Sequence, residues 1–122
     1  MTSNYISTNG IQLHYLDFEG SGPTIILTHG LTANAHAFDG LIAAGLAPAF
    51  RVISVDLRGR GLSEKPETGY TMKEHAEDII GLMDALGIEK GIIGGHSFGA
   101  LLTFYMAFHY PEKIKKMILL DA

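Results

Sequence analysis

Cysteine and tryptophan are both missing from the 122 residues. Without cysteine there are no disulfides, no thiolate metal centres and no cysteine nucleophile. Charge is scarce too, at 18% of residues, while apolar residues make up 47%. Disordered chains show the reverse balance, so this chain is expected to fold. Basic residues are few: 9 Lys and Arg stand against 13 Asp and Glu, a formal net charge of −4. Only Lys113, Lys115 and Lys116 lie close together. That is no stripe for a phosphate backbone, and no nucleic-acid partner is expected. No apolar run approaches the roughly 18 residues of a membrane span, and mean hydropathy is only +0.19. Met1-Thr2-Ser3-Asn4 is polar, with no charged side chain before Ile6, unlike a secretory signal. The expectation is a soluble, cytoplasmic protein with no membrane partner and one domain's worth of core.

What is present alternates between short apolar runs and helical stretches. Tyr5–Ser7 and Ile11–Asp17 read as strands joined at Asn9-Gly10, a strong hairpin signal. The second alternates apolar and polar residues and so reads as half-exposed. Thr24–Thr28 is a continuous β-branched run, as in a strand buried on both faces, and Arg51–Val55 is another strand. Between them, Ala35–Leu46 reads as a weakly amphipathic helix ending near Gly45. Asp56–Tyr70 is a long loop. Met72–Leu86 is the clearest helix, with Thr71 and Glu74 spaced as a capping box and Gly87 placed to end it. Its apolar face is Ala76, Ile79, Ile80, Met83 and Leu86, leaving Glu77, Asp78 and Asp84 off it. Gly91–Gly95 is a strand, Phe98–Tyr110 a helix stopped by Pro111, and Ile114–Leu120 a last strand. Such alternation predicts an α/β fold: a mostly parallel sheet with helices on both faces and an antiparallel edge at the N-terminal hairpin.

One segment carries chemistry. Gly95-His96-Ser97-Phe98-Gly99 fits G-x-S-x-G, a modest signal alone. Its context strengthens it, since a β-branched strand runs into Ser97 and an apolar helix runs out of it. That is the strand-turn-helix of a nucleophile elbow, in which the serine holds a strained backbone. Gly95 and Gly99 are required there because a Cβ would crowd the neighbouring strand or helix. Ser97 then sits at a helix N-terminus, which favours developing negative charge. A plain helix-capping serine is the competing reading.

Upstream, Ile26-Leu27-Thr28-His29-Gly30-Leu31 places His-Gly directly after a buried strand. Asp56-Leu57-Arg58-Gly59-Arg60-Gly61-Leu62-Ser63 follows the next strand. With the Ser97 elbow, these segments occur in the order and spacing of the α/β-hydrolase superfamily, which the chain resembles from the hairpin to Asp121. The resemblance is closest to esterases, lactonases and C–C bond hydrolases. It implies Ser97 as nucleophile and the backbone N–H groups of Leu31 and Phe98 as oxyanion hole. It implies a small-molecule acyl substrate and no metal or organic cofactor. Dehalogenases and epoxide hydrolases of this superfamily carry Asp at the nucleophile position, which argues against those activities here.

The six histidines sit in different settings. His29 is expected to hold its loop by hydrogen bonds, and His96 to point away from Ser97. His36 is a candidate for the substrate pocket, along with Gly30 and Phe38, although such aromatics are equally often core. His14, His75 and His109 read as surface residues. None stands where the family puts its general base, in a loop after an eighth strand. Asp121, directly after the last strand, is either the acid partner of a triad or a polar residue closing that strand. Asp56 and Arg58 resemble the family's loop-shaping pair.

The resemblance implies a full core of eight strands with a helical cap, of which residues 1–122 are expected to form the N-terminal part of a single core domain, its first six strands. Met117–Leu120 is then expected to be an apolar edge, open to self-association or to a complementing C-terminal fragment. The rival functions are a non-catalytic half-domain or split-enzyme fragment, and a hydrolase-fold binding protein.

Overall fold

The hairpin turn sets the first register. Asn9 and Gly10 take positive φ, 52° and 79°, the backbone that matches the twist of two antiparallel strands. They join β1 (Thr2–Thr8) to β2 (Ile11–Phe18), with Thr8 opposite Ile11. Both strands are longer than the sequence pattern suggests. β2 also differs in burial: of Ile11 to Leu16 only Gln12 is exposed. It lies between β1 and β4 (Arg51–Val55), so both of its sides are occupied.

The computed structural model describes residues 1–121. Its remaining elements are β3 (Thr24–Thr28), α1 (Met72–Ala85), β5 (Gly91–His96), α2 (Phe98–His109) and β6 (Ile114–Leu120). The strands form one six-stranded sheet in the order β1-β2-β4-β3-β5-β6. β1/β2 and β2/β4 are antiparallel, and the pairs β4/β3, β3/β5 and β5/β6 are parallel. This is the α/β architecture read from the sequence.

Alternation along the central strands divides the core. Ile26, Ile53, Val55 and Ile93 face α1 and α2, meeting Ala76, Ile79, Leu82, Met83, Leu102 and Met106. Ile25, Leu27, Val52 and Ile92 face the other way, onto Phe38 and Ile42. The element covering this second face is not the single helix expected. It is broken into short helical turns over Ala35–Phe38, Asp39–Leu41, Ile42–Leu46 and Ala47–Ala49. Gly45 takes a φ of 125° and Pro48 lacks an N–H, so no regular helix can run through. By contrast α1 starts as predicted: Thr71 accepts from the Glu74 N–H and the Glu74 carboxylate accepts from the Thr71 N–H.

Two surfaces stay apolar and open. Leu101, Phe104 and Phe108 share one face of α2 at 56%, 58% and 74% exposure. On β6, Met117, Ile118 and Leu119 are exposed, and the strand pairs only with β5 among the described residues. It is an edge strand with unpaired backbone groups. No helix among the described residues is long and apolar enough to cross a membrane.

Candidate active site

Ser97 stands between β5 and α2 with φ 54° and ψ −112°. A serine in this sparsely populated region is strained by about 1–3 kcal/mol. Its side chain makes no capping bond to α2 and is exposed. The helix-cap reading therefore fails, and Oγ is left open to solvent.

The surroundings hold the strain in place. A Cβ on Gly95 would overlap the Gly99 backbone, and one on Gly99 would overlap the Thr28 carbonyl. β5 and α2 thus approach through glycines, as the motif predicted. The Thr28 hydroxyl reaches the carbonyls of Gly94 at 3.3 Å and Gly99 at 3.2 Å, and Thr103 donates to Gly99 O at 2.8 Å. The Ser97 N–H continues the sheet ladder to Leu120 O at 3.1 Å.

Two amides are aimed by their own peptide planes. In a trans peptide, C=O and N–H point in opposite directions. The Ser97 carbonyl accepts from the Ala100 and Leu101 N–H groups at 3.0 and 3.2 Å, pointing into the helix. The Phe98 N–H, in the same peptide, points outward as one of the unpaired donors of the first turn. The Gly30 carbonyl accepts from the Ala33 N–H at 3.1 Å and from the His29 ring at 2.6 Å. The Leu31 N–H lies on the far side of that peptide and has no acceptor among the described residues. Gly30 runs beside the serine: a Cβ there would sit 3.6 Å from Ser97 Cβ.

The loop is built on buried polar groups. His29 Nε2 accepts from the Leu57 N–H at 3.0 Å, so its proton sits on Nδ1, the atom facing Gly30 O. Burial pulls its pKa below the ordinary value, favouring the neutral ring. The buried Asp56 carboxylate accepts from the Ala35 N–H at 2.7 Å, the Leu62 N–H at 3.0 Å and the His14 ring at 2.8 Å. Arg58 makes a two-point pair with Asp78, at 2.7 and 2.8 Å. His29, Asp56 and Arg58 thus have the structural parts expected of them.

A family model described as the alpha/beta hydrolase fold matches residues 23–122. The chain belongs to this family. Among curated relatives, it is 41% identical over 103 residues to the 2-(acetamidomethylene)succinate hydrolase of Mesorhizobium japonicum, covering 84% of this chain and 37% of that protein. It is 36% identical over 121 residues to a soluble epoxide hydrolase of Corynebacterium sp., covering 99% of this chain and 42% of that one. Among solved structures, an epoxide hydrolase from Vigna radiata superposes with a TM-score of 0.92 at 31% identity, covering 99% of this chain and 40% of that chain. The chain therefore spans roughly two-fifths of the length of these α/β hydrolases.

Within this α/β hydrolase chain the expected site residues do not all converge. Ser97, Gly30, Leu31 and Phe98 gather at the C-terminal ends of β3 and β5. Phe38 does not join them: it is 3% exposed and packed against Ile25, Leu27 and Val52 on the opposite face of the sheet, so it is core. His36 is exposed and pairs with Asp39 at 3.0 Å. It borders a shallow groove with Met1, Phe18 and Ile42, which none of the elbow residues lines. Asp121 is nearly fully exposed, and His96 Nε2 lies 3.9 Å from its carboxylate. Neither hydrogen-bonds to Ser97.

Three residues read as surface from the sequence are buried. His14 is held by Asp56 and Ser3, Asp78 by Arg58, and His75 is 1% exposed beneath Arg60. The sequence does carry a signal for His75. It precedes Ile79 by four residues and Leu82 by seven, on the apolar stripe of α1. Arg60, not singled out from the sequence, donates to Leu31 O at 3.0 Å and lies over the Phe98 ring at 5.5 Å.

Proposed function

We propose that Ser97 is the nucleophile of an acyl-transfer hydrolase acting on a small ester or related acyl compound. One observation carries the reading: an exposed serine is held at positive φ, does not cap its helix, and lies beside two outward-aimed amides. Oγ attacks the acyl carbonyl, and the Oγ–C bond forms as the carbonyl π pair moves onto oxygen. The Leu31 and Phe98 N–H groups receive that oxyanion, each donor being worth about 3 kcal/mol in comparable sites. Collapse expels the alcohol, which leaves with a proton, and water then releases the acid from the acyl-enzyme.

A serine at this position also supports one of the chemistries named among the relatives over another. A carboxylate opening an epoxide gives an ester that water can cleave. A serine opening an epoxide gives an ether, which water does not cleave under these conditions. Ser97 therefore favours acyl substrates over epoxides.

Deprotonating Oγ needs a base, and no histidine among the described residues bonds to Ser97. The family resemblance assigns that base to a loop after an eighth strand. Residues 1–122 alone are then expected to acylate slowly and turn over poorly, since loss of the base costs about 10⁶ in kcat in a serine protease. The same missing contact favours a second reading, a non-catalytic domain or one part of a split enzyme. The lack of cysteine fits a cytoplasmic setting.

Treatment with an activated short-chain ester, followed by intact mass, separates the two. Slow appearance of one acyl adduct, absent in Ser97→Ala, supports the nucleophile. No adduct on prolonged exposure, or the same adduct in Ser97→Ala, supports the non-catalytic reading.

A further inference from the structure

Arg60 touches both residues whose amides form the proposed oxyanion hole. Its Nε donates to the Leu31 carbonyl at 3.0 Å. Its guanidinium carbon lies 5.5 Å from the centre of the Phe98 ring. Its Nη1 donates to the Arg58 carbonyl at 2.6 Å and to His75 Nε2 at 2.7 Å. His75 is held in turn: its Nδ1–H donates to Thr71 O, at the N-cap of α1, at 2.7 Å. Its ring meets Phe98 edge-on at 5.0 Å. One chain of contacts therefore runs from the start of α1, through His75 and Arg60, to the oxyanion loop and the elbow.

We propose that Arg60 is a positioning residue that clamps the Leu31 turn against the Phe98 elbow and so sets the spacing of the two oxyanion donors. This inference rests on the acyl-transfer reading of Ser97. The physical reason lies in consecutive peptide planes. His29 and Ala33 pin the Gly30–Leu31 peptide through its carbonyl. That leaves the Leu31–Thr32 peptide to rotate in an exposed turn, Leu31 itself being 58% exposed. Arg60 holds the carbonyl of this second plane. With both planes fixed, the Leu31 N–H keeps one direction before substrate arrives, which is the condition for an oxyanion hole to accelerate the reaction.

A planar guanidinium suits the task. It serves Leu31 O, Arg58 O and His75 at fixed angles, which the single ammonium of a lysine cannot do together. The neutral His75 ring is part of the device. With its proton on Nδ1, Nε2 is free to accept from Arg60, and burial holds the His75 pKa below its ordinary value. The charged and titratable groups facing this ring are Arg60, Arg58, Asp78, His29 and Glu74, with the Tyr70 ring at 6.3 Å.

The test uses the chain as it stands, as wild type, Arg60→Gln, Arg60→Lys and His75→Phe. Amide relaxation and hydrogen exchange by NMR report the order of Gly30 to Ala33, and ¹⁵N shifts report the His75 tautomer. Single-turnover acylation by an activated ester gives a binding constant and an acylation rate. The clamp predicts a mobile Leu31 turn in Arg60→Gln and an acylation rate lower by about tenfold, short of the 10²–10³ lost with a whole donor. Ester binding should stay unchanged, because the proposed role of Arg60 acts through the Leu31 turn. Arg60→Lys keeps the positive charge and should remain impaired. An ordered turn with unchanged acylation in Arg60→Gln, or full rescue by Arg60→Lys, would overturn the proposal. If Arg60→Gln does not fold, His75→Phe decides through the same amides, since it removes the acceptor and keeps an aromatic ring against Phe98. If the wild type is never acylated, the acyl-transfer reading fails, while the NMR arm still judges the clamp.

Discussion

Replacing Ser97 with glycine should make the protein more stable. Ser97 has φ 54° and ψ −112°, and its side chain makes no bond that the fold depends on. The strained backbone is worth about 1–3 kcal/mol, and glycine adopts it freely. Against this, glycine adds conformational freedom to the unfolded chain, worth about 0.4–1 kcal/mol. The net expectation is a gain of about 1 kcal/mol. Ser97→Ala is the control, because it keeps the Cβ, and so the strain, while removing only Oγ. Urea denaturation of the three proteins, with equal slopes required, gives the comparison directly. Ser97→Gly should unfold at higher urea than both wild type and Ser97→Ala. If it unfolds at lower urea than Ser97→Ala, the backbone at the elbow is not strained and the functional case for Ser97 loses its main physical support.

Four further outcomes follow from the same contacts. Gly99→Ala drives a Cβ into the Thr28 carbonyl, backbone against backbone, and should destabilise by at least the 1–3 kcal/mol of ordinary overpacking; a wild-type urea midpoint would contradict this. Asp78→Ala strips buried Arg58 of its two-point partner, leaving Glu74 at 3.8 Å as its remaining carboxylate, and should destabilise by about 3 kcal/mol, read by the same method. His29 and His75 are both held below their ordinary pKa of 6.5, chiefly by burial. The unfolded chain then binds more protons as pH drops. Their stabilisation is complete above pH 6.5 and is lost as pH falls through the folded values. Urea midpoints at pH 7.5 and 5.0 should fall on acidification, and a flat profile would refute the assignment. Finally, the open apolar strand β6 should self-associate, and Ile118→Lys should reduce this in sedimentation velocity; a wild-type monomer at micromolar concentration would count against it.

Much of the fold was legible because its signals are local. The Asn9-Gly10 turn, the Thr71/Glu74 capping box and the β-branched run of β3 each declare one element without reference to anything distant. The elbow was legible for the same reason, its two glycines flanking the serine. The covering segment over 35–49 was not, because Gly45 and Pro48 break a pattern whose apolar spacing still looks helical. The polar network was less visible again. Arg58 meets Asp78 and Arg60 meets His75 at sequence separations of 20 and 15, and no local pattern marks such pairs. His14 sits on a strand whose alternation suggests an exposed face, yet β4 pairs alongside and Asp56 lies within reach. Phe38 shows the opposite error. Its closeness in sequence to the Gly30–Leu31 loop suggests the pocket, while the side chain packs into the core among Ile25, Leu27 and Val52.

We propose that this elbow presents Ser97 as a nucleophile to an acyl carbonyl whose developing oxyanion is held by the Leu31 and Phe98 N–H groups. The most direct test is exposure to a fluorophosphonate, with intact mass and peptide mapping of the product. The Oγ–P bond forms as fluoride leaves, and the phosphoryl oxygen takes the place of the oxyanion. One adduct per chain, mapped to Ser97, should form slowly and be lost in Ser97→Ala. Adducts spread over other serines, or none after exhaustive exposure, would contradict it.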